Sequence, residues 1–196
     1  MSVTEVDKFE TFFKDYMNET KSLLDLVEPA SVQSAITALF QAWQRDATVF
    51  VMGNGGSATN ALHFANCLSQ GTWIPGKKPM RAQALVDNLC TVTAVSNDYG
   101  YDQAFAKQLE MCMRPGDLVV GISCSGNSPN VVNAFEYARV HGIFTLGFIG
   151  FAGGKMLALS DCAIYIENHN YGQLETVHLS IGHLISQRLK QLIAQR

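Results

Sequence analysis

The sequence predicts an α/β protein: a five-stranded parallel sheet with helices on both faces, preceded by two N-terminal helices. Five apolar runs recur at regular intervals, at 47–52, 81–86, 117–122, 143–148 and 163–166. They lack polar/apolar alternation, which marks strands buried on both faces. Helix-length segments separate them, and a doubly wound sheet of that kind binds ligands beyond the carboxyl ends of its strands.

Taken in order, residues 4–27 and 30–45 read as helices. Phe9, Phe12, Phe13, Tyr16, Leu23, Leu24 and Val27 recur at helical spacing, and Glu28-Pro29 marks the break between the two. This aromatic stripe packs either into the core or across an oligomer interface. The first strand runs into Gly53-Asn54-Gly55-Gly56-Ser57 and opens a helix over 57–69. Pro75-Gly76-Lys77-Lys78-Pro79 is an exposed turn before the second strand. Helices over 88–96 and 101–113 follow, with Asn97-Asp98-Tyr99-Gly100-Tyr101 between them as a turn signal. The third strand breaks at Ser123-Cys124-Ser125-Gly126-Asn127-Ser128 and leads into a helix over 129–141. A helix over 151–159 and a long one over 172–195 complete the pattern.

At 196 residues and 47% hydrophobic composition the chain fits one domain, 1–196, with a full core. Charged residues make up only 16%, which predicts surface buried between subunits, with residues 1–45 as an oligomerising extension. The net charge of −3, with no basic stripe, argues against direct nucleic-acid binding. The N-terminal stretch does not read as a signal peptide, and no apolar run approaches a membrane span. Five cysteines (67, 90, 112, 124 and 162), an odd number without CxxC spacing, fit reduced thiols in a cytoplasm.

Both Gly/Ser turns have the character of a phosphate cradle. Glycine lets backbone N–H groups approach a ligand, a helix N-terminus adds partial positive charge, and serine hydroxyls, Ser57 among them, add donors. The first turn lacks the G-x-G-x-x-G spacing of a dinucleotide site, and no Walker lysine follows it. In the second, Ser128 is placed to cap the helix beginning at Pro129. Capping needs one hydroxyl, and Ser123, Ser125 and Ser128 offer three.

His63 and Cys67 lie four residues apart on one helix and share a face. Glu175 and His183 lie eight apart on the last helix, about 80° around it. These four groups suit either a metal site or acid–base work if the two helices meet at the Gly/Ser turns. Each also has a simpler role: a core histidine, a small buried hydrophobe, a charge at a helix start.

Together, Gly53-Asn54-Gly55-Gly56-Ser57, Ala61-Leu62-His63-Phe64-Ala65, Ser96-Asn97-Asp98-Tyr99-Gly100-Tyr101, the 121–128 loop and Gly153-Gly154-Lys155-Met156 resemble the sugar isomerase (SIS) domain, and most closely its phosphoheptose isomerase group. The resemblance covers nearly the whole chain. It implies a flavodoxin-like sheet, a homotetramer with sites between subunits, and a phosphorylated sugar as ligand. Ser123, Cys124, Ser125 and Ser128 would hold the phosphate, and Asn54, Gly55, Gly56, Asn97 and Asp98 would face the sugar. His63 matches a zinc ligand; His183 matches a ligand that is also an acid–base group. Three positions depart from the family pattern. Its catalytic glutamate falls on Cys67, its metal-binding glutamine on Glu175, and a loop threonine on Cys124. The carboxylate has thus moved to the facing helix, and His63, Cys67, Glu175 and His183 form a ligand set that zinc accepts. The expectation is a ketose–aldose isomerase with Glu175 as C–H base and His183 as acid–base partner. The alternative is a noncatalytic SIS protein that binds a sugar phosphate or a protein partner, like the DnaA initiator-associating protein; that group, as the resemblance implies, lacks the histidine matched by His183.

Overall fold

The computed structural model describes residues 3–196, with side chains from residue 8 onward; the first residues of the N-terminal stretch weighed above lie outside that range. Helices α1 (Val3–Asp25) and α2 (Pro29–Gln44) precede the sheet. Strands β1 (Thr48–Gly53), β2 (Arg81–Ala84), β3 (Leu118–Ser123), β4 (Phe144–Ile149) and β5 (Cys162–Tyr165) then alternate with α3 (Gly56–Asn66), α4 (Leu89–Tyr99), α5 (Ala106–Cys112), α6 (Pro129–Val140), α7 (Gly154–Leu159) and α8 (Tyr171–Ala194). All strand pairs are parallel, in the order β2-β1-β3-β4-β5.

Two apolar layers hold helices to the sheet. Val49, Val51, Leu118, Val120, Leu146 and Phe148 face α2, α3 and α8 through Leu39, Phe64, Val177 and Ile185. Phe50, Met52, Val119 and Ile149 face α5, α6 and α7 through Leu109, Phe135 and Met156. Full burial of one such side chain stabilises by roughly 1.5–3 kcal/mol. The inner strands β1, β3 and β4 are buried on both faces, as an apolar run predicts. β2 differs: it is an edge strand, and Arg81 and Gln83 are exposed.

Three boundaries depart from the sequence pattern. α4 continues through Tyr99, so Asn97 and Asp98 are helical and the break comes at Gly100, whose φ of 93° favours glycine. The segment expected as a helix over 101–113 is a 3₁₀ turn at Tyr101–Gln103 followed by the shorter α5. α3 ends at Asn66 and passes into a π-helical turn, Cys67–Gly71, a form that recurs near functional sites.

Candidate active site

β1 and β3 are neighbours, yet the sheet extends from them in opposite directions. At such a switch point the following helices diverge and leave a crevice at the strand ends. Gly53 pairs with Ile122 on the last rung, so both Gly/Ser loops begin at one level. With Tyr171 and Glu175 of α8 they line a cleft of about 260 Å³, whose walls include Asn54, Gly55, Gly56, Ser57, Ser123, Cys124, Ser125 and Ser128.

The serines converge. Ser123 Oγ lies 3.2 Å from Ser128 Oγ and 3.5 Å from Ser125 Oγ, and it accepts the Gly126 N–H at 3.2 Å. Ser128 occupies the N-cap position of α6, but its hydroxyl caps nothing and turns to Ser123 instead. Three hydroxyls beside the N-terminus of a 12-residue helix offer donors of the kind an anion accepts from. Ser57 is buried, with Oγ 3.9 Å from Cys124 Sγ. Burial pushes the Cys124 thiol up to about 11; the Ser57 hydroxyl offsets part of this and the Glu175 charge adds to it. Cys124 is therefore a neutral wall of the cleft at neutral pH, not a nucleophile.

Glu175 is half-buried against Gly56. A Cβ on Gly56 would strike both carboxylate oxygens, so glycine there makes room for this carboxylate. Asn60 fixes the same turn by donating Nδ2 to the Glu175 carbonyl at 2.9 Å. Gly53 is required within the same loop, because a Cβ there would lie 2.6 Å from the Ser57 carbonyl oxygen.

His63, Cys67 and His183 form a second cluster. His63 Nε2 lies 3.3 Å from His183 Nε2, Cys67 Sγ lies 3.9 Å from His183 Nδ1, and their ligand atoms fall within 4.8 Å of one another. Burial raises the Cys67 thiol pKa, and a hydrogen bond with Ser186 works against that. Glu175 is not in this group: it precedes His183 by two turns, about 12 Å along the axis. His183 opens instead onto a groove of about 780 Å³ between α1, α2 and α8, lined by Leu24, Val32, Ile36 and Leu184 among others. So three of the four expected ligands come together, and the fourth faces the serine cleft.

Asn97 and Asp98 are exposed, hydrogen-bonded to each other at 3.0 Å, and do not line the cleft. The same sequence stretch reaches the site through Tyr101, whose hydroxyl donates to Asn54 Oδ1 at 2.7 Å. Sequence reasoning passed over Tyr101, Asn130 and Tyr171. Tyr171 stands four residues before Glu175 on α8, a spacing that puts both on one helix face.

A family model described as the SIS domain matches residues 14–150. The chain is 40% identical over 159 residues to the phosphoheptose isomerase of Rhodospirillum rubrum, covering 80% of this chain and 82% of that relative. The chain belongs to the SIS family, in its phosphoheptose isomerase group. This SIS chain is also 35% identical over 184 residues to the phosphoheptose isomerase of Mycobacterium tuberculosis, covering 94% and 93% of the two. The solved structure of a phosphoheptose isomerase from Francisella tularensis superposes on it with a TM-score of 0.87 at 27% identity, covering 97% of this chain and all of that one.

Proposed function

We propose that this SIS chain isomerises a ketose phosphate, such as sedoheptulose 7-phosphate, to an aldose phosphate through an enediol. The observation that carries the reading is a carboxylate, Glu175, in the same cleft as three converging serines. In this reading the serines and the α6 N-terminus bind the phosphate, leaving the sugar to extend along the cleft. Glu175 takes the proton from C1 and returns it to C2, while His183 exchanges protons with the two oxygens. That half of the assignment rests on the family resemblance, since His183 does not line the cleft.

The donor set of His63, Cys67 and His183 fits zinc, which takes imidazole nitrogen and thiolate sulfur in four-coordinate sites. Glu175 faces the serine cleft two turns away and leaves the fourth position to another donor. Zinc held there would supply a Lewis acid for the substrate carbonyl. We place the chain in the cytoplasm as a homotetramer of single SIS domains spanning 1–196. Residues 1–45 serve the subunit contacts, and no nucleic acid is bound directly. Support comes from exposed Phe9, Phe12 and Phe13 on α1 and the adjoining apolar groove. Among the described residues no single helix is long and apolar enough to cross a membrane.

The separation of Glu175 from His183 favours a second reading, a noncatalytic sugar-phosphate binder. Incubating the zinc-loaded protein with sedoheptulose 7-phosphate in deuterated water decides between them. Deuterium at C1 supports the isomerase. A clear binding isotherm without exchange supports the binder.

A further inference from the structure

Asn54, on one wall of the serine cleft, is held from behind by a hydrogen-bond network with a forced polarity. Asn54, just past the end of β1, meets Asn130 from the first turn of α6 and Tyr101 from the turn after α4. Asn130 is buried, with 1% of its surface exposed. The network starts from a group that is only a donor: the Val131 backbone N–H bonds Asn130 Oδ1 at 3.0 Å. That fixes the Asn130 amide. Its Nδ2 therefore donates to Asn54 Oδ1 at 2.9 Å, and Asn54 Nδ2 donates back to Asn130 Oδ1 at 2.8 Å. Tyr101 adds its hydroxyl to Asn54 Oδ1 at 2.7 Å. Both lone pairs of that oxygen are then taken, and one of two hydrogens on Nδ2 is used. A flip of the Asn54 amide would set N–H against N–H and oxygen against oxygen.

We propose that Asn130 and Tyr101 are positioning residues that lock the Asn54 amide as a donor-only contact, offering one N–H to an acceptor oxygen of the sugar phosphate. The proposal rests on the sugar-phosphate reading above and adds to it a polarity and two residues. A donor fixed in advance needs no reorganisation when negative charge develops on a substrate oxygen. The role given to Tyr101 also explains why the Ser96–Tyr101 motif bears on the site although Asn97 and Asp98 stay outside the cleft.

A double-mutant cycle read by calorimetric titration tests this, with sedoheptulose 7-phosphate and inorganic phosphate as the two probes. Tyr101 is 55% exposed, so Tyr101→Phe leaves the core intact. It weakens sugar-phosphate binding by about 3- to 10-fold, a typical hydrogen-bond effect, and leaves inorganic phosphate binding unchanged. In an Asn54→Ala background the same substitution adds nothing. Asn130→Ala removes both bonds that hold the Asn54 amide to α6, adds no charge beside the phosphate-binding turn, and leaves the Val131 N–H on the Ser128 carbonyl at 3.0 Å. The resulting loss for the sugar phosphate is about tenfold or more, again without loss for inorganic phosphate. An equal Tyr101→Phe loss with and without Asn54, or no loss in either background, overturns the lock. Coupling that persists while no protein in the set turns over substrate refutes the isomerase reading and leaves the lock standing. Failure of the unaltered protein to bind the sugar phosphate overturns both.

Discussion

Gly56 and Glu175 define the reactive end of the cleft as a pair. Because a methyl group at position 56 occupies the space of the carboxylate, Gly56→Ala displaces the proposed base without removing it. A misplaced catalytic group costs turnover far more than it costs stability. The expected result is a fall in kcat of about tenfold or more, with a thermal midpoint close to that of the unaltered protein. His178 makes a different residue-scale prediction. Its ring packs edge-on to Phe148, and neither nitrogen has a partner at hydrogen-bonding geometry. Burial pushes its pKa down to about 4, only weakly opposed by the nearby Ile149 backbone. The unfolded chain binds a proton at about 6.5, so the folded state loses ground as pH falls from about 6.5 toward about 4, and nothing is lost above that range. Between about pH 7 and pH 5 the loss from this group is about 2 kcal/mol, seen as a falling urea midpoint. In His178→Leu that part of the profile flattens.

At the scale of elements, α3 and α8 do most to build the site. α3 carries His63 and passes into the π-helical turn that begins at Cys67, and α8 carries Glu175 and His183 on turns that face different openings. If these helices hold zinc, the unaltered protein takes up one equivalent per chain, and His63→Ala or His183→Ala abolishes uptake, as elemental analysis of untagged protein would show. The strands were legible because β1, β3 and β4 are buried on both faces, which leaves an unbroken apolar run in the sequence. The serine loop was legible because its residues are contiguous. The reach of α4 was not, since Asn97 and Asp98 are turn formers that here complete a helix whose stop is set one step later by Gly100. Nor was the Asn54 network, which joins residues 47 and 76 positions apart. Spacing on α8 put Glu175 and His183 on one side of the helix, but two turns of rise carry them to separate openings.

Over the whole molecule, the exposed aromatic side chains of α1 form the surface that bears on assembly. Phe9, Phe12 and Phe13 are 59%, 63% and 54% exposed, and the groove beside α8 that holds Leu184 adjoins the same helix pair. Contiguous apolar patches of this kind mark interaction surfaces. Among the described residues, α1 is anchored in its C-terminal half, where Leu23 enters the core and Glu19 accepts from Gln173 Nε2 at 2.9 Å. An oligomer built on this surface loses assembly when a charge is buried in it. Phe12→Glu is therefore expected to lower the mass measured by light scattering while the far-ultraviolet circular dichroism of the chain is retained.

The central claim is that Glu175, facing the serine cleft, moves a proton on a sugar phosphate. Solvent deuterium incorporation at C1 of sedoheptulose 7-phosphate, followed by NMR for the unaltered protein and for Glu175→Gln side by side, tests it most directly. The account predicts exchange by the unaltered protein and a rate lower by about 10²–10⁴ in the variant, with sugar-phosphate binding preserved. Equal exchange in the two proteins would contradict it.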